Sequence, residues 1–384
     1  MPLGFLRVLI ASVLAVLTAT AALAQNPYGG RAPNFYILDV GTSQILAQQN
    51  ADIPLPPASM SKLMTLAMLF DALADGRVTL QSTWNISQHA HDMGGSSMFL
   101  ETRDRPTTED MIRGIAIVSG NDAAVAVAEG LGGTETAFAE MAQRRAQQIG
   151  MVDTTIANAS GWPDPRHRMS LRDLGTLAHY LMTQHTQFFH YFSETEFTWN
   201  NITQPNRVPL LSAGIGMDGL KTGHTEEAGY SLVGSAHQGS RRVIFVFSGL
   251  NSPQERVEEA ERIVNWAFRQ FASRQVLEAG ATVASAEVWL GEADSVPLVT
   301  RDAVEVLVPA LAQDAVSAQV TYQGPVEAPI EAGQELGSLQ IEVAGLAPLT
   351  VPLVAGQAVA RGGFVTRMRA AASVLGGHLG LVEP

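Results

Sequence analysis

The chain has 384 residues, 46% of them hydrophobic and 16% charged, which suits two or three packed domains and excludes a disordered chain. A net charge of −13 at pH 7 argues against a nucleic-acid binder, which would need a basic face. There is no cysteine, so no disulfide framework supports the fold.

Residues 1–24 read as a secretory signal peptide. Arg7 supplies a positive charge, Val8 to Thr20 is apolar, and Ala22-Leu23-Ala24 is a small-residue cleavage signal before Gln25. Asn34 to Asp39 and Ile45 to Ala47, split by Gly41-Thr42-Ser43, predict a strand, a tight turn and a second strand.

Pro56 and Pro57 then lead into a buried helix carrying Met60, Leu63, Met64, Ala67 and Leu69, with Gly76 as its stop. Ser59 and Lys62 are three apart and share one helix face. A serine hydroxyl needs a nearby base to become a nucleophile, and a partly desolvated lysine can be that base. Of the 24 basic residues only Lys62 and Lys221 are lysines; the other 22 are arginines, which cannot lose their proton. Ordinary positive charge is thus carried by arginine, and the two lysines invite a chemical explanation.

Gly94 to Ser97 is a loop, and His89 and His91 lack a clear third ligand, so no metal site is expected there. Thr107 and Asp110 stand at capping-box spacing before a helix. Ser119-Gly120-Asn121 links that helix to an alanine- and valine-rich one; such a loop can present side chains to a cleft, though the same residues make ordinary turns. Thr134 to Ile149 and Ser170 to Thr183 predict further helices, with an ordered loop over Asn158 to Pro165 between them. Glu196 to Asn200 and Arg207 to Leu211 are expected as strands around a loop. A meander follows, starting at Lys221-Thr222-Gly223 and continuing through Gly229 to Ala236 and Arg242 to Gly249. Ser252 to Phe271 is amphipathic and predicts a helix.

After about residue 275 the texture changes to short valine-rich runs split by Gly, Pro and Asp. This predicts a small separate β-sandwich over 275–360. In 361–384, Phe364 to Leu381 predicts a short amphipathic helix that would lie on a membrane surface.

Ser59-x-x-Lys62, Ser119-Gly120-Asn121 and Lys221-Thr222-Gly223 are weak signals singly and strong in this order. With Gly161-Trp162-Pro163-Asp164, Arg166 and Gly229-Tyr230, the chain resembles the D-alanyl-D-alanine carboxypeptidases, low-molecular-mass penicillin-binding proteins of the S11 peptidase family. The resemblance implies an α/β (α+β) serine β-lactamase/transpeptidase-like domain over 25–274. In it an antiparallel sheet is flanked by helices, and a small all-β sandwich domain follows. It implies Ser59 as acylated nucleophile, Lys62 as base and Ser119 as proton relay. Asn121 would hold the substrate amide, and Lys221 would add positive potential. Thr222, Arg207 and Arg256 would meet the terminal carboxylate. Gly223 would let the substrate lie close to its strand, and the backbone N–H groups of Ser59 and His224 would form an oxyanion hole.

The implied reaction removes the terminal D-alanine from a peptidoglycan stem peptide without metal or cofactor, and β-lactams would acylate the same serine. The implied location is periplasmic, with peripheral inner-membrane contact through the C-terminus. A serine β-lactamase would need a water-positioning glutamate, and no Glu-x-x-x-Asn occurs between residues 150 and 180. A non-catalytic murein-binding scaffold would have no need of the intact motif residues.

Overall fold

The computed structural model describes residues 28–310 and 316–368. The expected signal peptide and most of the expected C-terminal helix lie outside the described residues.

Strands β1 (Asn34–Asp39) and β2 (Ile45–Gln49) open the chain, and a 3-10 turn over Ala58–Ser61 leads into α1 (Lys62–Ala74). The helices α2 (Gln88–His91), α3 (Thr108–Ala116), α4 (Asn121–Gly132), α5 (Glu135–Gln148) and α6 (Leu171–Gln184) follow. A hairpin, β3 (Glu196–Trp199) and β4 (Ile202–Pro205), precedes β5 (Met217–Thr225), β6 (Gly229–Gln238), β7 (Arg241–Leu250) and α7 (Pro253–Arg269).

Local signals set most helix starts. Thr107 and Asp110 form a reciprocal capping box on α3, and Thr134, Ser170 and Ser252 each accept the backbone N–H three residues on.

The sheet order is β2-β1-β7-β6-β5, antiparallel throughout. Both faces are buried. Phe35, Ile37, Phe245 and Phe247 face the inner side of α7, where Ala260, Ile263, Val264 and Ala267 lie. The alternate residues Tyr36, Ile244 and Val246 join the core of α1, α3, α4 and α6. The period-two alternation of a strand therefore serves two hydrophobic layers. At one end β5 is an edge strand, so one row of its N–H and C=O groups has no strand partner.

Two expectations need correction. Arg207 to Leu211 is not a strand; the partner of β3 is β4, Ile202–Pro205. Asn200 and Asn201 both take positive φ, +46° and +63°, and close a two-residue turn that brings the chain back earlier. Phe271 belongs to strand β8 (Phe271–Leu277) rather than to α7. Its ring still packs on Trp266 of the helix, which is why it continued the apolar pattern.

The C-terminal part is all β. β9 (Thr282–Trp289), β10 (Ser295–Thr300), β11 (Val304–Pro309), β12 (Val316–Tyr322), β13 (Val326–Glu327), β14 (Glu335–Val343) and β15 (Leu349–Ala355) complete it. A six-stranded sheet, β12-β14-β15-β10-β9-β13, and the β8–β11 pair enclose a core that includes Val296, Leu298, Val306, Ile341 and Leu353. β10 lies inside the larger sheet despite Pro297, a residue that normally argues against an interior strand.

Candidate active site

The Ala58–Ser61 turn, the Ser119–Asn121 turn, the 157–168 loop and the outer edge of β5 converge on one cleft of about 1010 Å³. Ser59, Ser119, Asn121, Ser160, Arg207, Thr222, Gly223, His224 and Arg256 all line it. Lys62 and Lys221 lie beneath its wall, 0% and 1% exposed.

Lys62 is the first residue of α1, and its side chain runs back into the interior. Its Nζ is 2.9 Å from Ser59 Oγ, 2.6 Å from Asn121 Oδ1 and 2.6 Å from the Ser160 carbonyl. Burial, with a further contribution from Arg207, pushes its pKa down to about 7. Asn121 is held in turn by its Nδ2, which donates to the Gly94 carbonyl at 2.6 Å.

Lys221 Nζ donates to Ser119 Oγ at 2.9 Å and to the Thr222 carbonyl at 3.1 Å. Burial and the positive charges of Lys62, Arg207 and Arg256 hold its pKa well below the usual lysine range. Asp122 is also buried, but its carboxylate is used to fasten the 97–100 loop. It accepts from Ser97 Oγ at 2.7 Å, the Met98 N–H at 2.9 Å and the Leu100 N–H at 3.1 Å.

β5 lies directly against the Ser59 turn. A Cβ on Gly223 would stand 3.0 Å from both the Pro57 carbonyl and Met60 Cγ, so a glycine permits this approach. Gly161 is tighter still: at φ +76°, a Cβ there would lie 1.9 Å from the Ala58 carbonyl. The 157–168 loop is thereby seated on the residue before Ser59. Asn158 Oδ1 accepts the N–H groups of Ser160, Gly161 and Trp162, and Thr65 Oγ1 donates to the Ala159 carbonyl at 2.7 Å. His167 braces the same loop, its Nδ1 accepting from Ala157 N at 2.9 Å; burial pushes its pKa down to about 4.

Desolvation lowers the pKa of both Arg207, which is still exposed at the cleft, and Arg256, and Arg256 Nε is buried with no hydrogen-bond partner among the described residues. Arg256 stands 5.5 Å over the Tyr230 ring, which stacks on His224 at 4.0 Å. The His224 imidazole is thus turned toward Tyr230. His89 and His91 lie elsewhere, against Glu135 and the Leu100 carbonyl, and no three-residue metal cluster occurs among the described residues.

All ten residues singled out from the sequence meet at this cleft. Three contributors were not singled out. The Ser160 carbonyl acts through its backbone, and no side-chain pattern reports that. Asp122 and Tyr230 act by holding other groups in place. The adjacent Asn158-Ala159-Ser160-Gly161 run was the available signal.

A serine hydroxyl in contact with a buried, low-pKa lysine, beside an unpaired strand edge, is an arrangement suited to serine acyl transfer. Residues 20–252 match the family model described as D-alanyl-D-alanine carboxypeptidase, and residues 271–361 match that of the penicillin-binding protein 5 C-terminal domain. The chain is 32% identical over 377 residues to D-alanyl-D-alanine carboxypeptidase DacD of Escherichia coli K12, covering 94% of this chain and 97% of that protein. Penicillin-binding protein 5 from Haemophilus influenzae superposes with a TM-score of 0.77 at 31% identity, covering 86% of this chain and 98% of that one. Penicillin-binding protein D2 from Listeria monocytogenes, in its ampicillin-bound form, superposes at 0.57 and 27% identity, covering 62% and 97%. The chain belongs to the D-alanyl-D-alanine carboxypeptidase family of serine peptidases and is a hydrolase of that activity.

Proposed function

We propose that Ser59 is acylated by the penultimate D-alanine of a peptidoglycan stem and that Lys62 takes its proton. The three contacts of Lys62 carry this reading. Asn121 Oδ1 and the Ser160 carbonyl are acceptors only, and Asn121 Nδ2 is already committed to Gly94. A neutral Lys62 keeps two N–H bonds for these two oxygens. Its lone pair is then left facing the third neighbour, Ser59 Oγ, which can donate. A pKa of about 7 supplies the neutral amine near physiological pH.

The stem lies as an added strand on the free edge of β5. Its carbonyl oxygen takes the N–H groups of Ser59 and His224, which stabilise the tetrahedral oxyanion. Its terminal carboxylate meets Thr222, Arg207 and Arg256; two arginines without acidic partners among the described residues suit it. As the C–N bond breaks, Ser119 gives its hydroxyl proton to the departing D-alanine amine under the influence of Lys221 and is reprotonated by the proton that Lys62 took from Ser59. Water then cleaves the Ser59 ester and restores the hydroxyl. The reading uses no metal or organic cofactor. β-Lactams acylate Ser59 in the same way; the ampicillin-bound Listeria relative supports this.

The reading places the enzyme outside the cytoplasm, exported through residues 1–24 and working in the periplasm. It divides the mature chain into a peptidase domain and a β domain; the boundary expected at 274/275 falls inside β8, so the β domain is taken to begin with that strand, at Phe271. Residues 361–384 contact the outer face of the inner membrane. Phe364, Val365 and Met368 are 76%, 66% and 54% exposed at the start of that segment, which supports the contact. No helix among the described residues is long and apolar enough to cross a membrane.

Intact mass after incubation with benzylpenicillin tests the nucleophile. A single adduct is expected on the wild type and none on Ser59→Ala. Slow loss of the adduct fits a carboxypeptidase, whereas rapid drug turnover would indicate a β-lactamase. No adduct on folded wild type would overturn the assignment.

A further inference from the structure

The six-stranded sheet of the C-terminal part has two unlike edges. At one, β13 is two residues long, Pro325 and Pro329 flank it, and its Glu327 pairs with Arg361 at 2.9 Å. Short length, proline and charge all discourage a further strand there. At the other edge, β12 carries none of these devices. It runs seven residues, Val316-Ser317-Ala318-Gln319-Val320-Thr321-Tyr322, with no charge and no proline. Its ladder to β14 keeps one register from Val316↔Val343 to Tyr322↔Gly337, without a bulge. No other strand among the described residues pairs with it.

Val316, Val320 and Tyr322 pack against the core of this part but are only partly buried, and Ala318 on the same face is exposed. An added strand would cover them, and β12 fits a copy of itself. Its outward N–H and C=O groups come from alternate residues, so two antiparallel copies can meet only with the two-fold axis beside a residue, not between two. Centred on Gln319, all seven residues pair. Val316 then meets Tyr322 of the other copy, Ala318 meets Val320 and Ser317 meets Thr321. Aromatic–β-branched and hydroxyl pairs of this kind stabilise adjacent strands. Glu342, opposite Ser317, sits on β14, so the two copies of this carboxylate are at least three strand spacings apart, about 14 Å. That exceeds the Debye length at physiological salt.

We propose that two copies of this chain associate by antiparallel β12–β12 pairing centred on Gln319, which joins two six-stranded sheets into one. The occupant of the open edge is a second copy because the strand's side chains complement themselves in the register that its backbone allows. The peptidase cleft takes no part in the contact, so the pairing stands apart from the catalytic reading.

The chain contains no cysteine, so an introduced thiol reports alone. Beside the two-fold axis the Gln319 Cα atoms would stand about 4.5–5.5 Å apart, within disulfide range. Mild oxidation of the full chain carrying Gln319→Cys should give a disulfide-linked dimer about tenfold faster or more than Ser317→Cys, whose copies would lie about 14 Å apart. In sedimentation, the wild type should move from one chain toward two between about 1 and 200 µM, as suits a small interface. Gln319→Lys sets two ammonium groups face to face; it should stay monomeric at about 200 µM and still be acylated by benzylpenicillin at the wild-type rate. Equal cross-linking of Gln319→Cys and Ser317→Cys, association that survives Gln319→Lys, or a wild type that stays monomeric throughout would overturn the pairing.

Discussion

Ser119 Oγ lies 2.9 Å from Lys221 Nζ across 102 residues of chain. The contact depends on a tight turn. Ser119 takes φ +63°, and the Gly120 N–H donates to the Gly114 carbonyl at 2.8 Å. A Cβ on Gly120 would stand 2.7 Å from Asp122 Oδ1 and 3.2 Å from that carbonyl. The turn points the hydroxyl at β5. Ser119→Ala retains the backbone demand and removes only the hydroxyl. Acylation by benzylpenicillin, followed by stopped flow, should slow by about 10²-fold or more. An unchanged rate would remove Ser119 from the proton path.

Lys62 predicts a signed pH dependence. In the proposed mechanism its neutral form is the base, so the acylation rate should rise with pH through about 7 and then level off. Stability follows the same group. Its pKa is depressed from 10.5 in the unfolded chain to about 7 when folded, so between these values the unfolded chain holds more protons. The stability of wild type relative to Lys62→Met should therefore improve as pH rises from 7 toward 10. Denaturant unfolding of both proteins at pH 6, 8 and 10 measures this, and a flat difference would contradict the depressed pKa.

Gly161 and Gly133 make an internal comparison. Both have positive φ, +76° and +78°, but a Cβ on Gly133 would meet nothing within 4 Å. Gly133→Ala should cost only a backbone penalty for its positive φ, about 1–3 kcal/mol, with normal acylation. Gly161→Ala adds a collision with the Ala58 carbonyl beside the nucleophile. It should lose more stability and at least tenfold in acylation rate, as thermal unfolding and penicillin labelling would report. Equal behaviour of the two variants would mean the 157–168 loop is not seated as described.

Arg256→Ala should raise KM for a D-alanyl-D-alanine peptide by about 10- to 100-fold, the range of one or two charge-assisted hydrogen bonds, with a smaller change in kcat. Arg207→Ala should act in the same direction. A peptide ending in a carboxamide should show little of either effect. Stability should hold or improve, because each change removes a partly desolvated positive charge that has no acidic partner among the described residues. Equal losses on both peptides would place these arginines outside carboxylate recognition.

What the sequence by itself determined was local or chemical. Thr107, Thr134, Ser170 and Ser252 mark helix starts because a cap acts within three residues. The β5–β7 meander shows in its alternation, and the two lysines stand out among 24 basic residues. Tertiary structure decided the rest. Phe271 continues the apolar pattern of α7 because its ring packs on Trp266, although its backbone is in β8, and the Asn200-Asn201 turn gives β3 its partner before Arg207 to Leu211. Sequence suggests that Lys62 could be a base; only the fold buries it beside Arg207, which lowers its pKa, and sets Asn121 Oδ1 and the Ser160 carbonyl within hydrogen-bond reach of its amine. A backbone oxygen carries no residue signature, and desolvation depends on what the whole fold places around a charge.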